Sequence, residues 1–190
     1  MRTRILCSVL SLLTATPLIA ADFSLENLMR LMRETPDPPV HYTEIKRSDL
    51  FAFDLESHGT LSLENTGTLT KTVQSAGSET VLTADHARLT LTRENQTRII
   101  SLRDYPVIGA FMAAFRATLR GDRDSLLEHY QADLSGDARN WNLVLTPLDA
   151  KLSRSLRSIE MTGTQGQPLV YIIDETSGDI TTLFLGDRKP

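Results

Sequence analysis

Four histidines, His41, His58, His86 and His129, are the side chains best able to hold a metal or move a proton near neutral pH. No two of them stand at a metal-ligand spacing. Asp122, Asp124 and His129 could be drawn together as ligands, but an aspartate just ahead of a helical run caps its free N–H groups, and that reading is adopted. Asp85-His86 falls between two strand signals and reads as a turn. Asp174, Glu175 and Asp179 surround Ser177-Gly178 and read as hairpin-turn residues. No G-x-S-x-G run supplies a hydrolase elbow, and no acid–base or nucleophile constellation stands out. The sequence therefore assigns no catalytic residue, no metal and no cofactor.

The chemistry left is apolar binding. Val107, Ile108, Phe111, Met112 and Phe115, continued by Leu119, form a sustained helical stripe after Tyr105-Pro106. Phenylalanine and methionine suit the wall of an acyl groove, since methionine adapts to irregular shapes and each buried methylene gains roughly 0.8 kcal/mol. Ordinary core packing would write the same stripe. Leu28, Met29 and Met32 present the same two readings. Leu61, Leu63, Leu143, Leu145, Tyr171 and Ile173 are expected to share one face of a sheet by their alternation.

The elements that must position these residues follow from local pattern. Leu25, Leu28, Met29 and Met32 are spaced as a short amphipathic helix with Ser24 or Asp22 as N-cap, ended by the prolines at 36, 38 and 39. Strand signals follow at 40–46, at Phe51-Phe53-Leu55, at Leu61-Leu63 after Gly59, and at 69–73, 80–83, 89–91 and 97–102, with turns between them. The central helix ends at Gly121, and a shorter one carries Leu126, Leu127 and Tyr130. Strands resume at Trp141–Pro147, Ile159–Met161, Pro168–Asp174 and Ile180–Leu185. A sheet of this many strands cannot stay flat, because twist accumulates. The expected fold is α+β: an antiparallel barrel, open or closed, with its few helices in or across the concave mouth.

The first residues point to export. Arg2 and Arg4 precede the apolar run from Ile5 to Leu13, and Pro17-Leu18-Ile19-Ala20-Ala21 offers a small-residue exit. The run falls short of the roughly 20 apolar residues of a spanning helix, so residues 1–21 read as a cleavable secretory signal peptide and 22–190 as a single domain. Cys7, the one cysteine, lies inside that leader, ahead of most of the apolar run, which is the wrong place for lipidation. The mature chain is then free of disulfides. The net charge of −4 is dispersed, with no basic stripe for nucleic acid and no polybasic segment for lipid heads.

Four motifs follow one another along the chain: Gly59-Thr60-Leu61-Ser62-Leu63, the helix from Pro106 to Leu119 followed by Gly121-Asp122, Trp141-x-Leu143-x-Leu145-x-Pro147, and Ile172-x-Asp174-x-x-x-Gly178-Asp179-x-Thr181. In this order they resemble the LolA-like family of periplasmic outer-membrane lipoprotein carriers, in a divergent branch. The resemblance implies an unclosed antiparallel β-barrel, a half-barrel, with helices forming a lid over an apolar cavity. It further implies a monomeric carrier that takes lipid or acylated cargo from an inner-membrane donor to an outer-membrane acceptor. The ligand-binding set would then be Met29, Leu61, Leu63, Val107, Ile108, Phe111, Met112, Phe115, Leu143, Leu145, Tyr171 and Ile173. One departure stands out. Better-known members carry Arg-Pro after the second strand and an aromatic soon after. Here Glu64–Lys71 offers neither, so the cargo need not be a lipoprotein. The alternative reading is a periplasmic interaction module of similar fold, filled by its own side chains, that binds a membrane protein without carrying lipid.

Overall fold

The structure is a computed structural model that describes residues 23–36, 39–49, 52–64, 66–75 and 78–186. The expected signal peptide, with Cys7 in it, lies outside these residues.

Helix α1 (Leu25–Glu34) is capped by Ser24, whose hydroxyl accepts from the Asn27 N–H at 3.2 Å. It buries Leu28, Met29 and Met32, the stripe read from their spacing. Six strands follow: β1 (Val40–Arg47), β2 (Leu55–Leu63), β3 (Leu69–Ser75), β4 (Ser78–Ala84), β5 (Arg88–Arg93) and β6 (Gln96–Ser101). Helices α2 (Pro106–Leu119) and α3 (Arg123–His129) come next, and then β7 (Tyr130–Asp137), β8 (Asn140–Pro147), β9 (Leu156–Thr164), β10 (Gln167–Glu175) and β11 (Ile180–Leu185).

All eleven strands of the described residues form one antiparallel sheet in the order β6-β5-β4-β3-β2-β1-β11-β10-β9-β8-β7. The pairing of β1 with β11 joins the two meanders at the centre. It also sends β6 and β7 to opposite edges, although they are consecutive in the chain. The segment between them, which holds α2 and α3, therefore has to cross from edge to edge. This connection lays the helices over the concave face of an unclosed half-barrel, the architecture expected from sequence.

The register orders that face. Residues directly opposite each other in an antiparallel pair share a side of the sheet. Leu143 lies opposite Met161, Met161 opposite Tyr171, and Tyr171 opposite Leu183. Leu145 lies opposite Ile159, and Ile159 opposite Ile173. Leu61 lies opposite Val40, and Leu63 opposite Leu69. Along each strand these positions alternate with residues of the outer face.

Several local expectations need correction. Phe53 does not continue a strand with Leu55: it sits in a bend, 70% exposed, and β2 begins at Leu55. Phe51, of the same expected strand, lies outside the described residues. Gly59 belongs to the second strand, as its motif implies, but β2 starts four residues ahead of it. It lies within β2, opposite Tyr42 and Val73, where a Cβ would collide with the Thr72 carbonyl of the next strand. Tyr130 does not belong to the short helix but opens β7, a strand the sequence reading passed over. In β7 the inward positions are Tyr130, Ala132 and Leu134, and the small Ala132 blunts the alternation that marks a strand. Around α2 the burial extends well beyond one stripe. Ala110, Ala114, Arg116, Ala117 and Thr118 are buried along with Met112 and Phe115, because the sheet, α1 and α3 all pack on this helix.

The turn chemistry follows its residues. Gly121 takes a φ of +61° just after α2, and Asp122 caps α3 by accepting from the Ser125 N–H at 3.1 Å. The Asp85 carboxylate accepts from the Ala87 and Arg88 N–H groups at 2.7 and 2.6 Å, closing the β4–β5 turn. In the last hairpin the Gly178 N–H donates to the Glu175 carbonyl at 3.1 Å.

Candidate functional site

The concave face and the helices over it bring most of the sequence-predicted residues together. Phe111 and Phe115, one turn apart on α2, have ring centroids 5.6 Å apart. Both rings meet Tyr171 of β10, at 5.9 and 4.9 Å respectively. Met29, Leu61, Met112, Phe115, Leu143, Leu145, Tyr171 and Ile173 are all buried in one continuous core cluster. Leu63, Val107 and Phe111 are half-buried and pack against it. Ile108 stands apart: it is 37% exposed, three residues on from the still more exposed Tyr105 at the start of α2.

Two hydroxyl contacts fasten α2 to the sheet below. The Tyr130 hydroxyl donates to the Ala110 carbonyl at 3.0 Å. The Thr118 and Tyr171 hydroxyls lie 3.4 Å apart near the other end of the helix. Burial of Tyr130 pushes its phenol well above the ordinary tyrosine range, so it remains a neutral donor. From the α1 side, Arg33 donates to the Gly121 carbonyl at 2.7 Å and ties the first helix to the end of the second.

Among the described residues, cavities adjoin this lid at three places. The first, of about 190 Å³, opens where the C-terminal ends of α1 and α2 meet the start of β10 and the end of β11. Its wall is largely apolar, with Met32, Val40, Leu119, Pro168, Leu169 and Leu185. The second, of about 160 Å³, lies between α2 and α3 and is lined by Arg116, Arg120, His86 and His129 among others. The third, of about 710 Å³, is a polar cleft along α1 and α3 with Arg30, Arg33 and Arg123 facing Glu26 and Asp124. Of the twelve sequence-predicted ligand residues, Met29 borders this third cavity, and the other eleven border none of the three. In this structure their side chains, Ile108 apart, pack into one apolar cluster over the concave face.

The sequence reading missed the apolar end cavity and the cationic pocket. Pro168 and Leu169 were visible only as members of a strand. Arg116 sits inside a helix that reads as apolar, and nothing local distinguishes it from a solvated arginine.

A polar group also sits on the concave side of the sheet. Lys71 of β3 pairs with Glu44 of β1 at 2.6 Å, and its ammonium lies 4.7 Å from the centre of the Tyr42 ring. Ser57 completes the group through its hydroxyl, 3.4 Å from Glu44. The arginine that the family resemblance places after the second strand is absent, yet the turn it would occupy still meets a guanidinium. Arg120 of α2 reaches that turn, where a methyl group on Gly67 would lie 3.0 Å from its Nη2.

An unclosed half-barrel whose helices cover an apolar concave face defines the class of fold. The chain belongs to the family described as outer membrane lipoprotein carrier protein LolA-like, whose model matches residues 15–187. No curated protein matches it in sequence. Among solved structures it is similar to a LolA superfamily protein from Nitrosomonas europaea, at 10% identity and a TM-score of 0.45 over 87% of this chain and 94% of that one. It is also similar to a putative outer membrane lipoprotein-sorting protein domain from Vibrio parahaemolyticus. There the identity is 13% and the TM-score 0.44, over 86% of this chain and 89% of the other. No described helix is long and apolar enough to cross a membrane.

Proposed function

We propose that this protein is a periplasmic carrier that takes an acyl chain or lipid-modified cargo into the space between its helices and its sheet and moves it toward the outer membrane. The observation that carries the reading is the apolar seam between α1, α2 and the concave face, which ends at the 190 Å³ cavity beside Met32 and Leu119. That cavity is smaller than the roughly 300 Å³ at the lower end of ligand pockets. Loading therefore requires α1 and α2 to lift from the sheet. An acyl chain would replace the contacts of Phe111, Phe115 and Met29 with its own methylenes, at roughly 0.8 kcal/mol for each one buried. The structure then represents the closed arrangement of the helices. The reading assigns no catalytic residue, and the donor, the acceptor and the cargo's head group are left open by it.

The test is direct. The chain is produced with its own leader in a Gram-negative host, purified from the periplasm and extracted with organic solvent for mass spectrometry. Stripped protein is then offered a fluorescent fatty acid. Copurified acyl compounds and saturable uptake are expected. Protein that is free of lipid and takes up no fatty acid would overturn the reading.

One observation favours the interaction module instead: the concave face is already filled by the protein's own side chains. Capture of a stable membrane-protein partner by stripped protein, with no lipid uptake, would decide for it.

A further inference from the structure

The pocket between α2, α3 and the β4–β5 turn holds an arrangement that neither core packing nor acyl binding needs. Arg116 is 6% exposed, a charged residue on a helix otherwise buried through apolar and small side chains. A guanidinium carries five N–H donors. Among the described residues that of Arg116 makes one hydrogen bond, from Nη1 to the Asp85 carbonyl at 3.3 Å, and no ion pair. The Asp85 carboxylate is turned away to its own turn, where it accepts from Ala87 and Arg88.

A second guanidinium, Arg120, follows one helical turn later and lines the same pocket. Like charges at this spacing repel. Burial disfavours the charged form of Arg116, the charge of Arg120 adds to the effect, and the nearby Asp85 charge offsets only part of it. His86 from the β4–β5 turn and His129 from the end of α3 complete the wall, while Ala113, Ala114 and Ala117 leave the room. The one carboxylate in the lining, Asp122, is engaged by the Ser125 N–H and hydroxyl at 3.1 and 2.7 Å. A buried guanidinium with a single hydrogen bond leaves most of its donors unmet, which is costly, and an arginine fork matches the oxygens of a phosphate group.

We infer that this pocket of about 160 Å³ is an anion site for a phosphate group, held by Arg116 and Arg120 with His86 and His129 at its rim. The group is either free phosphate or the head of a phosphorylated lipid. The site does not depend on the carrier reading, because inorganic phosphate probes it without any acyl chain.

The processed full chain is titrated calorimetrically with inorganic phosphate and with a short-chain phosphatidic acid kept below its micelle concentration. Saturable binding of phosphate at one site is expected. Arg116→Met should weaken it at least tenfold. His129→Gln and Arg120→Gln, both at exposed positions, should each weaken it severalfold, and they carry the test if Arg116→Met does not fold. Phosphatidic acid binding tenfold or more tighter than phosphate assigns the site to a lipid head group, and equal affinities assign it to the phosphate group alone. Absence of binding by both probes, or binding unchanged in Arg120→Gln and His129→Gln, overturns the inference. Fatty-acid uptake that persists in these variants leaves the carrier reading standing whichever way the phosphate result falls.

Discussion

The hydroxyls of Thr118 and Tyr171 lie 3.4 Å apart, both fully buried, and join α2 to the middle of β10. Thr118 is also 3.0 Å from the Ala114 carbonyl and 2.9 Å from that of Phe115, so its single proton has competing acceptors within its own helix. Tyr171→Phe and Thr118→Val are each expected to cost about 1 kcal/mol, the usual net worth of a buried hydrogen bond. The double variant should lose less than the sum. Urea denaturation of the four proteins checks it, and strict additivity would show that the two hydroxyls are not coupled.

Gly163 is held by the indole opposite. It pairs with Trp141 across β8 and β9, and a Cβ on it would strike the Trp141 ring and the Gln167 carbonyl. The Trp141 indole N–H donates to the Gln165 carbonyl at 2.9 Å, which leaves the ring little freedom to give way. Gly163→Ala should destabilise by about 1–3 kcal/mol, as overpacking does. Trp141 is the sole tryptophan, so its emission reads this site alone. A native emission maximum together with unchanged stability would contradict the packing described.

Alkaline unfolding should involve Tyr42. Burial, with the nearby Glu44 charge adding, pushes its phenol up to about 12. Because the folded value lies above the ordinary value near 10, this contribution is fully present below about pH 10 and is lost as pH rises through about 12. Tyr42→Phe should therefore move the alkaline midpoint upward, as followed by circular dichroism. An unmoved midpoint would remove Tyr42 from the transition.

Asp122 governs the other end of the pH range. The Ser125 hydroxyl and backbone N–H hold its carboxyl below the usual carboxylate range. A lowered folded value means the contribution is present above the unfolded value near 4 and disappears as pH falls through the folded one. Asp122→Ala should cost about 1 kcal/mol near neutral pH, as the loss of an N-cap does. It should also flatten the acid limb of the stability curve. Thermal melts from pH 7 to pH 3 measure both effects.

Much of the fold is legible along the chain because strands and helices announce themselves locally. The alternation in Trp141-x-Leu143-x-Leu145 and the 3.6-residue stripe from Val107 to Phe115 are properties of ten residues at a time. The hairpin at Glu175–Asp179 and the caps at Ser24 and Asp122 need even fewer. The sites resist such reading because they join distant segments. His86 closes a turn in the first meander and His129 ends α3, and only folding sets them around Arg116. Leu119, Val40 and Pro168 likewise meet at the end cavity from three separate elements.

By itself the sequence determined the helices, most of the strands, the shared faces of β2, β8 and β10, and the family resemblance, since each rests on periodicity, turn chemistry or motif order. The tertiary structure decided three other matters. It paired β1 with β11, which sent β6 and β7 to opposite edges and drew the helices across the mouth. It closed Phe111, Phe115 and Tyr171 on one another instead of around an open groove. It also buried Arg116 beside a second arginine. All three depend on strand register and on the fit of side chains far apart in sequence, quantities that no local pattern of residues encodes.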